Sequence, residues 1–168
     1  RAEQSLTDRQ VATLAIHQIG ALVGLSRICR SYVRYLKPHG ALYHQSCRDP
    51  GYAKPLVAAA FLYGLSIVGL PGSELEHAAA AVGLPFVPEG YADRRYRPDG
   101  TLVPRTEPNA LIDDPTEAVD QVERLVRDRG VRTICIHGDS PGAVEFAERL
   151  RQGLAARGHT FGAFANGS

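Results

Sequence analysis

The sequence predicts an α/β fold on a mostly parallel sheet, and three observations carry that expectation. Helical and extended patterns alternate at least four times along the chain. The extended segments are short, continuous and apolar, as strands covered on both faces are, with Thr133–His137 the clearest. Residues able to do chemistry follow the strand ends: Lys37 and His39, Glu89 to Tyr96, and His137 with Asp139. In a parallel α/β fold these ends share one face, where active sites are assembled. Pro71-Gly72-Ser73 adds a fourth end, with a helix N-terminus that offers N–H groups to an anion.

The elements follow in order. Thr7 caps a helix, and Gln10, three residues on, completes a capping box. Val11, Leu14, Ala15, Gln18, Ile19 and Leu22 then keep helical spacing, so this helix runs over 7–30. Val33–Lys37 is β-branched and aromatic enough for a short strand, stopped by Pro38 and Gly40. Asp49 and Pro50 read as the cap and first residue of an Ala-rich helix ending at Gly64, but Pro55 removes a backbone bond and moves the expected start to Pro55 itself. Ser66–Leu70 is a strand and Pro71-Gly72 a turn. Ser73 with Glu76 makes a second capping box, for a helix reaching Val82. Pro85–Val87 is a shorter strand running into Glu89, and residues 90–113 form a long polar loop of functional length. Asp114, Pro115 and Glu117 open a helix to Arg129. After the Thr133–His137 strand, Gly138–Pro141, with Ser140 as cap, leads into a last helix ending at Gly158. A final short strand is expected within Thr160–Ser168.

Composition narrows the function classes. The 168 residues are 44% apolar and 22% charged, with 17 Gly and 11 Pro, which suits one folded domain. Lys and Arg total 19 against 18 Asp and Glu, so a net charge of +1 gives no basic field for nucleic acid. The longest unbroken apolar runs, Leu56–Leu62 and Ala78–Val82, fall short of the roughly 20 residues that cross a bilayer, which speaks against a membrane span. Three widely spaced cysteines with no CxxC pair suggest neither a disulfide framework nor a thiolate zinc site, and favour a reducing cytoplasm. Neither GxGxxG nor GxxxxGK[ST] occurs, so a nucleotide would be held by other means.

Within the strand-end set, His39 and His137 are candidates for acid–base work or metal ligation, with Asp139 as a carboxylate ligand or as the orienter of an imidazole. The plain alternative is that each binds its own loop. With no HxxxH or HExxH pattern, a metal site inside this chain is weakly encoded. Lys37 suits a substrate carboxylate or phosphate, or a base, against the alternative of a snorkelling surface lysine. The Asp93-Arg94-Arg95-Tyr96 run is equally a charge-paired loop clasp or a setting for Arg94 as a fork on a carboxylate. Cys135, inside a strand, reads as core. Ser140 lacks a GxSxG elbow, and His17, His44, His77 and His159 lie on helices or loop margins.

Six strings are specific enough to match a family: HQIGAL at 17–22, KPHGALY at 37–43, GLPGS at 69–73, ADR at 92–94 with Tyr96, DGTLVPR at 99–105 and HGDSPGA at 137–143. Together they resemble the LamB/YcsF family. The resemblance implies an irregular (β/α) barrel similar to the glycoside hydrolase and deacetylase type. It also implies ATP-dependent opening of 5-oxoproline to L-glutamate, a hydrolase reaction on a cyclic amide, carried out with 5-oxoprolinase subunits B and C. Transferred residue by residue, it nominates His39, Asp93, His137 and Asp139 as catalytic, and Lys37, Ser73, Arg94, Tyr96 and Arg105 as substrate-binding. In related deacetylase-like barrels an Asp and His residues near the chain start hold a divalent metal, and such ligands would lie outside this sequence; within it the candidates are His39, His137 and Asp139. A metal-dependent hydrolase on a carbohydrate-like substrate and a noncatalytic carboxylate- or partner-binding barrel are therefore the alternatives. The family's early DLNCDLGE-, GFHAGDP- and GAHPGYPD-like segments do not occur, so residues 1–168 are expected to be one barrel domain, the C-terminal two thirds of the family's, and incomplete as given. Two further departures are the short Arg129–Arg132 segment and Pro55.

Overall fold

The computed structural model describes residues 3, 5–139 and 142–163. Its elements are α1 (Asp8–Ile28), β1 (Tyr35–Leu36), α2 (Ala41–Arg48), α3 (Pro50–Leu62), β2 (Ser66–Gly69), α4 (Glu74–Ala81), β3 (Phe86–Tyr91), α5 (Pro115–Arg129), β4 (Thr133–Cys135) and α6 (Ala143–Ala156). Every strand pairing is parallel, as expected. Strands neighbour one another in chain order, β3 pairing with β2 through its first three residues and with β4 through its last three. The chain falls into two compact units that divide within β3, after Pro88.

In the first unit, Thr7 and Gln10 form the expected capping box at the head of α1. Val11, Ala15 and Ile19 turn one stripe of that helix onto Leu56, Val57 and Ala60 of α3, and Ile67 of β2 and Leu75 of α4 complete the cluster. The expectation against a span rested on unbroken apolar runs, and length and composition alone read α1 differently, although its Val11, Ala15 and Ile19 pack into this cluster. Over 21 residues α1 is long and apolar enough to cross a membrane by length and composition, because scattered polar residues lower its average hydropathy less than they interrupt its apolar runs.

Three further differences have local causes. Helix α3 starts at Pro50, not Pro55: the Asp49 carboxylate accepts from the Gly51 amide, and Pro50 fits the first helical position. The internal Pro55 costs one backbone bond while its ring is buried. Helix α2 is not foretold by the sequence pattern; it is eight residues long and opens on Gly40, which supplies no side-chain cap to announce it. At α4 the capping box is rearranged: Ser73 accepts from the Glu76 amide, but the Glu76 carboxylate accepts from Gly72.

In the second unit, Ala92, Ile112, Val119 and Val122 meet Leu150 and Leu154 of α6. Asp114 caps α5 and Gly130 ends it in the left-handed conformation. Gly90 lets β3 lie against α5, since a Cβ there would stand 2.9 Å from Leu125 Cδ1 and 3.2 Å from Val131 Cγ1. Strand β4 is shorter than expected and half-buried rather than buried, having β3 as its ladder partner among the described residues. The long 90–113 segment is not structureless. It folds back on itself through antiparallel bridges at Arg94–Leu111 and Tyr96–Leu102. Residues 160–163 carry no strand, while the remainder of the expected terminal strand and the Ser140 cap lie outside the described residues. Helix α6 opens on Gly142, which makes no side-chain cap bond.

Candidate active site

The chemistry of the second unit gathers where β3 and β4 end. Two residues beyond β3, Asp93 is fixed through its backbone: Ile112 donates to its carbonyl, and the preceding Ala92 amide donates to Cys135 of β4. Two residues beyond β4 stands His137. Its amide donates to Asp93 Oδ2 at 2.8 Å, and its Nδ1 lies 2.8 Å from the same oxygen and 3.1 Å from Oδ1. An ionised carboxylate only accepts, so Nδ1 carries the hydrogen and Nε2 is left as the basic nitrogen. The Tyr91 ring stacks on the imidazole, with centroids 5.4 Å apart and planes 14° from parallel. Both side chains of the pair are largely shielded, at 19% and 13% exposure for His137 and Asp93.

The pair lines a cleft of about 300 Å³, rimmed by the first turns of α5 and α6. Leu111, Ile112, Pro115, Ile136 and Phe146 supply apolar wall, and Arg149 is its basic side chain, ion-paired with Glu145. Asp113 also lines the cleft, which therefore joins an apolar wall to an imidazole, carboxylates and one ion-paired arginine.

The other expected site residues take different positions. Asp139, expected to orient an imidazole, is exposed and meets Arg105 at 3.1 Å, whose guanidinium holds its carboxyl below the usual range. The imidazole's carboxylate is Asp93 instead. Arg94 takes the loop-clasp role: it is 4% exposed and donates to the Val103 carbonyl. Burial, and next the neighbouring Arg105, pull its guanidinium below its ordinary pKa. Tyr96 is a half-buried anchor. Its hydroxyl accepts from the Tyr91 amide at 2.8 Å, and burial pushes the phenol up to about 12. Lys37, His39 and Ser73 belong to the first unit. Lys37 Nζ stands 5.9 Å from the Tyr43 ring centre, His39 is exposed ahead of α2, and Ser73 caps α4. Cys135 is half-buried in β4. Among the described residues no group of three His, Cys, Asp or Glu side chains stands together.

Sequence reasoning missed Gln121, whose amide donates to the carbonyls of Tyr91 and Arg94. Its signal is a polar residue on the buried stripe of α5, between Ala118 and Leu125.

The family model that matches this chain is that of the LamB/YcsF family, over residues 1–167. The chain belongs to the LamB/YcsF family. Within that family it is similar to the 5-oxoprolinase A subunit of Methylococcus capsulatus, at 45% identity over 94% of this chain and 66% of the relative. It is also similar to the 5-oxoprolinase A subunit of Neisseria meningitidis, at 41% identity over 94% of this chain and 70% of the relative. Among solved structures it matches the lactam utilization protein of Thermus thermophilus with a TM-score of 0.83 and 37% identity, over 94% of this chain and 68% of that one. The chain thus spans about two thirds of the length of these LamB/YcsF proteins, and its parallel α/β fold fits an incomplete barrel.

Proposed function

We propose that this chain is part of the A subunit of 5-oxoprolinase and that, with subunits B and C, it opens the lactam of 5-oxoproline to L-glutamate with hydrolysis of ATP. The observation that carries this reading is the Asp93–His137 pair in a small apolar-walled cleft, in a chain whose relatives are named for that activity. A five-membered lactam is held stable by amide resonance. Transfer of the γ-phosphoryl group to its carbonyl oxygen releases ADP and breaks that resonance; one water adds as the C–N bond opens to an acyl phosphate, and a second water releases phosphate. Asp93 fixes the His137 tautomer, and Nε2 takes a proton from the attacking water and returns one to the ring nitrogen as the C–N bond opens. Apolar walls cover the ring methylenes, and Arg149 meets the substrate carboxylate. With ATP as co-substrate, the reaction belongs in the cytoplasm.

The test uses the full-length protein assembled with its partner subunits. His137→Ala and Asp93→Ala are each expected to lower ATP-coupled glutamate release by about 10²- to 10⁴-fold. Wild-type rates in both variants would remove the pair from the chemistry. Binding of 5-oxoproline without turnover by the wild-type complex would favour a noncatalytic carboxylate-binding role.

A further inference from the structure

We infer that Gln121 is a positioning residue, setting the geometry of the Asp93–His137 pair from outside the cleft; this rests on the reading of that pair as catalytic. Gln121 lies on α5, is 8% exposed, and is not among the residues that line the cleft. Its Nε2 donates at 2.8 Å to the Tyr91 carbonyl and at 2.8 Å to the Arg94 carbonyl, with the Ala92 carbonyl at 3.4 Å. Three acceptors around one end settle which way the amide faces, because only the NH₂ end donates. These carbonyls bracket Asp93, at the point where the chain leaves the β3 ladder.

The same hydrogen bonds govern two contacts of the imidazole. Holding the backbone on both sides of Asp93 sets where its carboxylate meets the His137 amide and Nδ1. Holding the Tyr91 carbonyl sets the residue whose ring stacks on His137. The tautomer that leaves Nε2 basic depends on that carboxylate staying in place. A donor at residue 121 therefore acts on the reaction through Asp93 and Tyr91 without touching substrate.

The experiment records the ¹⁵N imidazole shifts of His137 and steady-state kinetics in the full-length protein with its partner subunits, for wild type, Gln121→Leu and Gln121→Glu. Gln121→Glu preserves the shape and volume of the side chain but leaves at most one O–H donor in place of two N–H donors, so it reads the hydrogen bonds even where Gln121→Leu disturbs packing. The expected result is an Nδ1–H tautomer in wild type and a shift toward Nε2–H in the variants. With it, kcat should fall on the order of 10²-fold while KM stays within about twofold. An unchanged tautomer and wild-type kcat in Gln121→Glu, with only the melting temperature lowered, would make Gln121 merely structural and overturn the inference. A shifted tautomer in a protein that releases no glutamate even as wild type would sustain the positioning role and overturn the 5-oxoproline reading instead.

Discussion

Asp93 accepts from both the backbone and the ring of His137, and this double contact separates it from the other carboxylates of the strand-end loops. Asp139, two residues from His137, is committed to Arg105 in solvent, where such a pair contributes little to stability. Beside the pair, Tyr96 anchors the loop with its hydroxyl on the Tyr91 amide and Arg129 over its ring at 6.0 Å. Its phenol, pushed up to about 12, gives a pH test. Below pH 10 the phenol is neutral in both folded and unfolded chains. As pH rises from 10 through about 12 the unfolded chain ionises first, so stability is lost in that window, by on the order of 2–3 kcal/mol. Denaturant titrations at stepped pH are expected to show wild type losing that much relative to Tyr96→Phe. A pH-independent difference between the two would refute the burial of the phenol.

Among the elements, α1 and α5 are the ones whose ends were written most clearly, because their caps are side chains: Thr7 with Gln10, and Asp114 with Pro115. The α1 cap is worth testing directly. Thr7→Ala leaves the Gln10 amide without its side-chain acceptor and is expected to lower stability by about 1 kcal/mol, read from the urea midpoint at constant m-value. A loss below a few tenths would mean that water serves that amide equally well. The ribbon of residues 90–113 gains its order differently. Its Tyr96–Leu102 bridge closes over Pro98-Asp99-Gly100, a turn sequence legible in the chain, whereas no strand-like alternation foretells the Arg94–Leu111 bridge, whose residues are far apart in a polar sequence.

At the scale of the whole molecule, each unit closes its own apolar cluster, one around α1 and α3, the other around α5 and α6. The proposed reaction consumes ATP in a complex of subunits, and with neither a P-loop nor a dinucleotide fingerprint in this sequence a nucleotide would be held by other means. ATP-coupled release of glutamate is therefore expected only from the full-length protein combined with its partner subunits. A coupled glutamate assay on the separated and recombined components checks this, and steady turnover by the full-length protein without its partners would contradict it.

Legible in the sequence are the alternation of helices with parallel strands, the starts of α1, α4 and α5, the family, and the candidacy of Asp93 and His137. These follow from local chemistry: apolar periodicity, capping side chains, proline at first helical positions, and short motifs that stand contiguous in the chain. The partners are set by the fold. Asp93 and His137 are 44 residues apart and meet because β3 and β4 are adjacent and parallel, which brings their following loops together. Arg94 reads identically as a substrate fork or a clasp until its burial and its bond to Val103 are seen. Gln121 shows in the sequence only as a polar residue on an apolar stripe; its partners are three backbone carbonyls, and backbone groups carry no residue-specific signal until the fold brings them to one side chain.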